Sequence, residues 1–199
     1  MEATRQIDNP RYHGLLIRRT FKQLQEIIDR THRWYPSLEG NYKQANQRWE
    51  FPSGAKITMG HCQHEADKYN YQGHEYHYIG FDQLEQFTES IYDYMLAQQR
   101  TSDPSLYCYA RSTANPGGVG HGWVKRRFIT ATKPGDIIRV PISLPDGRYV
   151  EITRCFIPST VYDNPAIMLN DPMYVARLQA LPENLRKAFL DGNWDAFEG

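Results

Sequence analysis

The run Tyr76-His77-Tyr78-Ile79-Gly80-Phe81 ends abruptly on Asp82. A short apolar stretch of this kind is the pattern of a buried strand, and a buried strand demands a sheet around it. In open α/β sheets ligands sit at the carboxyl ends of the strands, so an acid at that point is poised to hold a metal-bound phosphate. The segment reads as a Walker B strand. Nucleotide hydrolases of this kind usually carry glutamate next, to polarise the attacking water, whereas here the residue is Gln83. An amide can hydrogen-bond a water but cannot take its proton.

A chain of 199 residues with 40% apolar residues suits one globular domain, or one with a small appendage. Lysine plus arginine number 23 and aspartate plus glutamate 23, so no global field draws the chain to nucleic acid. Contact with DNA has to be local, and Lys125-Arg126-Arg127 is the local basic cluster. Cys62, Cys108 and Cys155 form no metal-type pair, fit a reducing compartment, and read as buried structural thiols. No run approaches the ~20 apolar residues that cross a bilayer, and Met1-Glu2-Ala3-Thr4-Arg5 has no signal-peptide core, so a soluble, intracellular protein is expected.

Gly14-Leu15-Leu16-Ile17-Arg18 reads as a strand, and Thr20 as the cap of an amphipathic helix through Phe21, Leu24, Ile27 and Ile28. Arg48–Phe51 and Ala55–Met59 flank Pro52-Ser53-Gly54 as a hairpin. A helix is predicted from Thr88 to Arg100, then a strand over Leu106–Ala110 that leads into a loop at Arg111 to Gly118. Ile137–Ile142 and Tyr149–Ile157 alternate as strands around Pro145-Asp146-Gly147. The tail reads as helical, with Asp171 as N-cap, a second start at Pro182-Glu183, and Gly192 as a stop.

Several segments stand in an order of their own: Arg18-Arg19-Thr20, Lys68-Tyr69-Asn70-Tyr71-Gln72-Gly73, Ile79-Gly80-Phe81-Asp82, Thr113-Ala114-Asn115-Pro116 with His121-Gly122-Trp123-Val124-Lys125, Tyr162-Asp163-Asn164-Pro165, and Leu190-Asp191-Gly192-Asn193-Trp194-Asp195. Together they resemble the large terminase subunit of tailed bacteriophages over nearly the whole chain. The resemblance implies an α/β, RecA-like P-loop ATPase core of the ASCE type that drives viral DNA into a procapsid, normally joined to a nuclease domain. It implies residues 1–160 as a partial ATPase core, and 161–199 as a helical lid with the start of a linker at Phe197-Glu198-Gly199. Asp82 would help to hold Mg²⁺ on ATP, Gln83 stands at the place of the catalytic glutamate, and Thr113, Ala114 and Asn115 correspond to the motif that couples γ-phosphate loss to the lid. The partners implied are double-stranded DNA, the portal protein, the small terminase subunit and other large-subunit copies, in the cytoplasm of a bacterial host and with no membrane.

The chain departs from that pattern in two places. Gly-x-x-x-x-Gly-Lys-Ser/Thr does not occur in it, so the first strand and phosphate loop of the pattern are lacking, and with them the nest of N–H groups that cradles phosphates. The metal-binding carboxylates of a nuclease domain are lacking too. The expectation is an internal piece of a terminase with negligible ATP turnover alone, with two alternatives: a prophage remnant that binds terminase or portal subunits, or one half of a split ATPase.

Each site residue also has a plainer reading. Asp82 alone suits a strand-end cap. Glu85 would be a displaced base sharing the face of Gln83 if the strand continues, and points away if a turn begins. Gln72 matches a position of a trans-acting arginine but lacks the positive charge, and Arg111 and Arg100 are the cationic alternatives, each better suited to a surface acid than to phosphate. His61, Cys62 and His64, and His74 with His77, invite a zinc reading without the usual cysteine spacing. Trp123, Trp194, Tyr107 and Tyr109 suit either base stacking or a core. On a helix from His121, Lys125, Arg126 and Arg127 spread around the axis, one reaching DNA phosphate while another stays solvated.

Overall fold

The computed structural model describes residues 2–197, and Glu198 and Gly199 of the expected linker start lie outside them. Two compact units divide the chain, Met1–Ala114 and Asn115–Gly199. The first holds six strands: β1 (His13–Arg18), β2 (Asn41–Lys43), β3 (Arg48–Glu50), β4 (Lys56–His61), β5 (Tyr78–Phe81) and β6 (Tyr109–Ser112). Their order is β2-β3-β4-β1-β5-β6. The β4-β1, β1-β5 and β5-β6 pairs are parallel, and β2 and β3 are added antiparallel through the predicted hairpin.

Helix α1 (Phe21–Trp34) follows β1 and covers one face of the sheet, and α2 (Glu89–Leu96) follows β5. The Thr20 side chain accepts from the Gln23 N–H while the Gln23 side chain returns to the Thr20 N–H, a capping box that fixes where α1 begins. Leu24, Ile28 and Thr31, one helical turn apart, are its buried residues, and Leu24 and Ile28 join Ile57 and Met59 of β4 and Tyr78 of β5 in one core. Phe81 packs instead against Phe87 and against Tyr92 of α2, with ring centroids 5.6 and 5.1 Å apart. Alternation along β5 therefore feeds two cores, which is why the strand reads as an unbroken apolar run.

Three details differ from the sequence expectation. The strand placed at Leu106–Ala110 lies three residues further on at Tyr109–Ser112, because the Gln6 side chain occupies the Tyr107 backbone, donating to its C=O at 3.1 Å and accepting from its N–H at 3.0 Å. Helix α2 is shorter than Thr88–Arg100 and stops at Leu96. Of the three cysteines only Cys62 is buried, while Cys108 and Cys155 are exposed.

The second unit contains α3 (His121–Val124), which runs on as a π-helical turn through Lys125–Ile129, the hairpin β7 (Ile137–Ser143) and β8 (Tyr149–Cys155), then α4 (Pro165–Asn170), α5 (Pro172–Gln179) and α6 (Glu183–Phe189). The hairpin is a separate two-stranded sheet, closed over Asp146 and Gly147 with the glycine at φ 82°. Asn164 and Asp171 cap α4 and α5. His121 stacks on Trp194 at 5.2 Å, and the Lys125 ammonium meets Asp195 at 2.5 Å, so the motif at 121–125 and the one at 190–195 fold against each other. No helix among the described residues is long and apolar enough to cross a membrane.

Candidate functional site

Strand register builds the site. Ile17 of β1 pairs with Phe81 of β5, and Phe81 with Ser112 of β6, so the next residue on each path, Arg18, Asp82 and Thr113, arrives at one level on the carboxyl edge of the sheet. The ladder carries on past the pairs: the Asp82 N–H donates to the Ile17 C=O and the Thr113 N–H to the Phe81 C=O, each at 3.0 Å. Parallel strands make this convergence automatic, since their ends share a side.

The three side chains are joined. The Thr113 hydroxyl donates to Asp82 Oδ1 at 2.6 Å and itself accepts the Gln83 N–H at 3.0 Å. Arg18 Nε lies 2.5 Å from Asp82 Oδ2. Both carboxylate oxygens are thus taken, one by a neutral hydroxyl and one by a cation. The Arg18 side chain is 11% exposed and Asp82 30%, so this ion contact is screened by solvent less than a surface pair.

Gln83 turns the chain away from the strand. Its backbone is left-handed, φ 60° and ψ 70°, a conformation that costs a residue with a side chain of order 1 kcal/mol and is held here by the Leu84 N–H on the Thr113 C=O at 2.8 Å. The Gln83 amide oxygen accepts from the Gln86 side chain, whose own oxygen accepts from Gln23 Nε2 at 3.0 Å, and Gln23 closes the capping box on Thr20. The residue after the strand aspartate is in this way tied to the start of α1. Since a turn begins at Gln83, Glu85 lies in a 3-10 turn and is buried.

Of the other predicted site residues, Ala114 and Asn115 are exposed just past Thr113. Gln72 is exposed on the segment that leads to the start of β5, whereas Asp82 follows that strand's end. Arg111 lies over the Tyr109 ring at 5.5 Å, meets Glu2 at 3.7 Å and donates to the Ala110 C=O, while Arg100 pairs with Glu75 at 3.9 Å. Lys125 is buried on Asp195; Arg126 is exposed and Arg127 partly so. Trp123 and Trp194 are buried, Tyr107 is half-exposed, and Tyr109 is partly buried against Tyr78. Among the described residues no three His, Cys, Asp or Glu side chains converge on a metal position.

Solved structures of phage terminases are similar to this one. The large terminase of a thermophilic bacteriophage, in complex with ADP, aligns over 94% of this chain with a TM-score of 0.64 and 15% identity, and a second crystal form of it aligns equally at 16% identity. The ATPase domain of the Thermus phage P74-26 large terminase aligns over 97% of this chain and 80% of its own length, with a TM-score of 0.51 and 12% identity. This is the RecA-like fold of a phage large terminase ATPase domain. The chain spans 41% of the length of the ADP-bound terminase. No protein-family model matches the sequence, and no curated protein is similar to it.

A terminase ATPase fold implies a nucleotide with Mg²⁺ at the end of β5. Mg²⁺ demands near-octahedral oxygen ligands and binds through one or two carboxylates. Asp82 is the carboxylate at that place, but its charge is already met by Arg18 at Oδ2. As arranged, Asp82 does not fit a directly bound divalent ion.

Proposed function

We propose that this chain is a portion of a phage large-terminase ATPase, the motor that drives viral DNA into procapsids, and that the 199 residues alone do not turn over ATP. The observation that carries this reading is the junction of Asp82 with Thr113 at the carboxyl edge of the sheet. It unites the strand-end aspartate with the first residue of the Thr113-Ala114-Asn115 motif, so that a change at one is felt at the other. DNA, the portal, the small terminase subunit and other large-subunit copies are the partners that go with this role, with Lys125-Arg126-Arg127 the local basic cluster of the sequence.

The test is ATP turnover by the purified chain and by a fusion in which a strand, Gly-x-x-x-x-Gly-Lys-Ser/Thr loop and helix precede Met1, Gln83→Glu restores a general base and Arg18→Gln leaves Asp82 open to Mg²⁺. The chain is expected to show none, and the fusion to gain Mg²⁺-dependent turnover that Asp82→Ala abolishes. Turnover by the chain alone that disappears in Asp82→Ala overturns the claim of inactivity, and a folded fusion without activity overturns the ATPase reading.

A second reading, one half of a split ATPase, is favoured by the edge of β6. Tyr109 and Thr113 give their N–H groups to β5, so alternation turns those of Ala110 and Ser112 to the other side, where a further strand can pair. The adjacent nucleotide sequence decides it: the split requires a Gly-Lys-Ser/Thr loop encoded there. A remnant that binds intact terminase or portal requires none, and co-purifies with a full-length subunit.

A further inference from the structure

We infer that Arg18 is the resident cation of Asp82, and that it excludes a divalent metal from the end of β5 until it is displaced. The inference rests on reading Asp82 as the metal-site carboxylate of a terminase-like ATPase, and it adds the group that decides whether that carboxylate is open.

The geometry is specific to Arg18. Register sets residue 18, not 19, beside residue 82, and Arg19 is turned elsewhere, donating to the Cys62 C=O at 3.1 Å. Arg18 approaches Oδ2 through Nε, while the Thr113 hydroxyl takes Oδ1, so the two partners divide the carboxylate between them. Thr113 does not oppose a metal, because a neutral hydroxyl on one oxygen leaves the carboxylate its full charge. Arg18 does oppose it. A metal ion reaches that oxygen only if the guanidinium moves aside. A metal ion arriving at Oδ2 meets a carboxylate already neutralised, with a positive charge 2.5 Å from the oxygen it needs. The site is therefore latched by charge, and strand register makes the latch.

The probe is Mn²⁺ alone, followed by the loss of its free electron-spin resonance signal, on the 199-residue chain. The wild-type chain is expected to show no saturable binding up to millimolar Mn²⁺. Arg18→Gln is expected to bind one Mn²⁺ at least tenfold more tightly, with the gain removed in the Arg18→Gln/Asp82→Asn double variant and absent from Thr113→Val, which frees Oδ1 but keeps the cation. Arg18→Met, of similar length and without polar atoms, repeats the test if the glutamine variant is unfolded by circular dichroism. Equal Mn²⁺ affinity in wild type and the folded Arg18 variants overturns the inference, and so does the absence of binding in all of them. A fluorescent ATP analogue with Mg²⁺ separates this from the larger reading: Mn²⁺ bound by Arg18→Gln without analogue leaves the latch standing, while a fusion that fails to hydrolyse ATP removes the ATPase.

Discussion

β4, β5 and the β7–β8 hairpin are written in similar residue types, yet their side chains meet opposite fates. Ile57 and Ile79 are fully buried, whereas Ile152 is 55% exposed, and no side chain from Arg126 to Lys187 is buried. The difference lies in what each strand finds beside it. β4 and β5 have β1 between them and further strands outside, while β7 and β8 have only each other. A two-stranded ribbon alone is marginal in water, so alternation specifies that a strand forms and leaves open whether anything covers it.

The largest expected effect tests that contrast directly. Ile79→Ala should cost about 3 kcal/mol in urea unfolding through lost transfer energy and a cavity, while Ile152→Ala should stay within about 0.5 kcal/mol. A cost at Ile152 equal to that at Ile79 would break the comparison, since the hairpin would then have to be covered in solution.

Acid should act on the first unit through two of its histidines. His13 is partly buried, its Nε2 lies 2.8 Å from the Thr58 hydroxyl, and its backbone N–H donates to His77 Nδ1 at 3.1 Å. Burial first, and then the charges of His74, Lys56, His77 and Arg48, lower its pKa to about 4. The unfolded chain takes up this proton near 6.5, so stability is complete above that pH and falls as pH drops towards 4, by about 3 kcal/mol for an isolated site. His77 shifts in the same direction, chiefly through burial, and adds to the slope. Urea unfolding between about pH 7 and pH 4 should show this loss, and His13→Gln should flatten part of it.

A smaller effect is expected at the carboxyl edge. Asp82→Asn leaves Arg18 without its counter-charge and should cost about 2 kcal/mol, more than removal of an exposed pair such as Arg139 with Glu151 on the hairpin, expected below about 1 kcal/mol. The caps give the finest comparison. Thr20→Ala and Asp171→Ala each remove a side chain that accepts a helix N–H, but of α1 and α5 only α1 carries buried residues. Thr20→Ala should therefore lower global stability by about 1 kcal/mol, while Asp171→Ala shows only as local fraying in hydrogen exchange.

Much of the first unit is legible in the sequence because its local and tertiary signals agree. Thr20 before a helical stripe, Pro52-Ser53-Gly54 between alternating segments, and Asp82 after an apolar run each name an element that the fold then uses. β6 is harder to place because Tyr107 is as strand-like as Tyr109, and only the distant Gln6 side chain decides between them. At the site, Asp82 and Thr113 stand out as motif residues, but the role of Arg18 on Asp82 emerges only once the β1–β5 register is known. The amide chain from Gln83 through Gln86 to Gln23 has no sequence signal at all, since glutamine is an ordinary helix and turn residue.

The junction of Arg18, Asp82 and Thr113 also acts as a check on alignment while the sheet assembles. Parallel strands meet late and can pair out of step, since nothing in a ladder of backbone bonds tells one residue from the next. If β6 slipped one residue along β5, Ala114 or Ser112 would stand beside Asp82, and if β1 slipped, Ile17 or Arg19 would. The observed alignment is the one that brings Arg18 and the Thr113 hydroxyl to the same carboxylate, so the strand ends add to what the buried faces say about register.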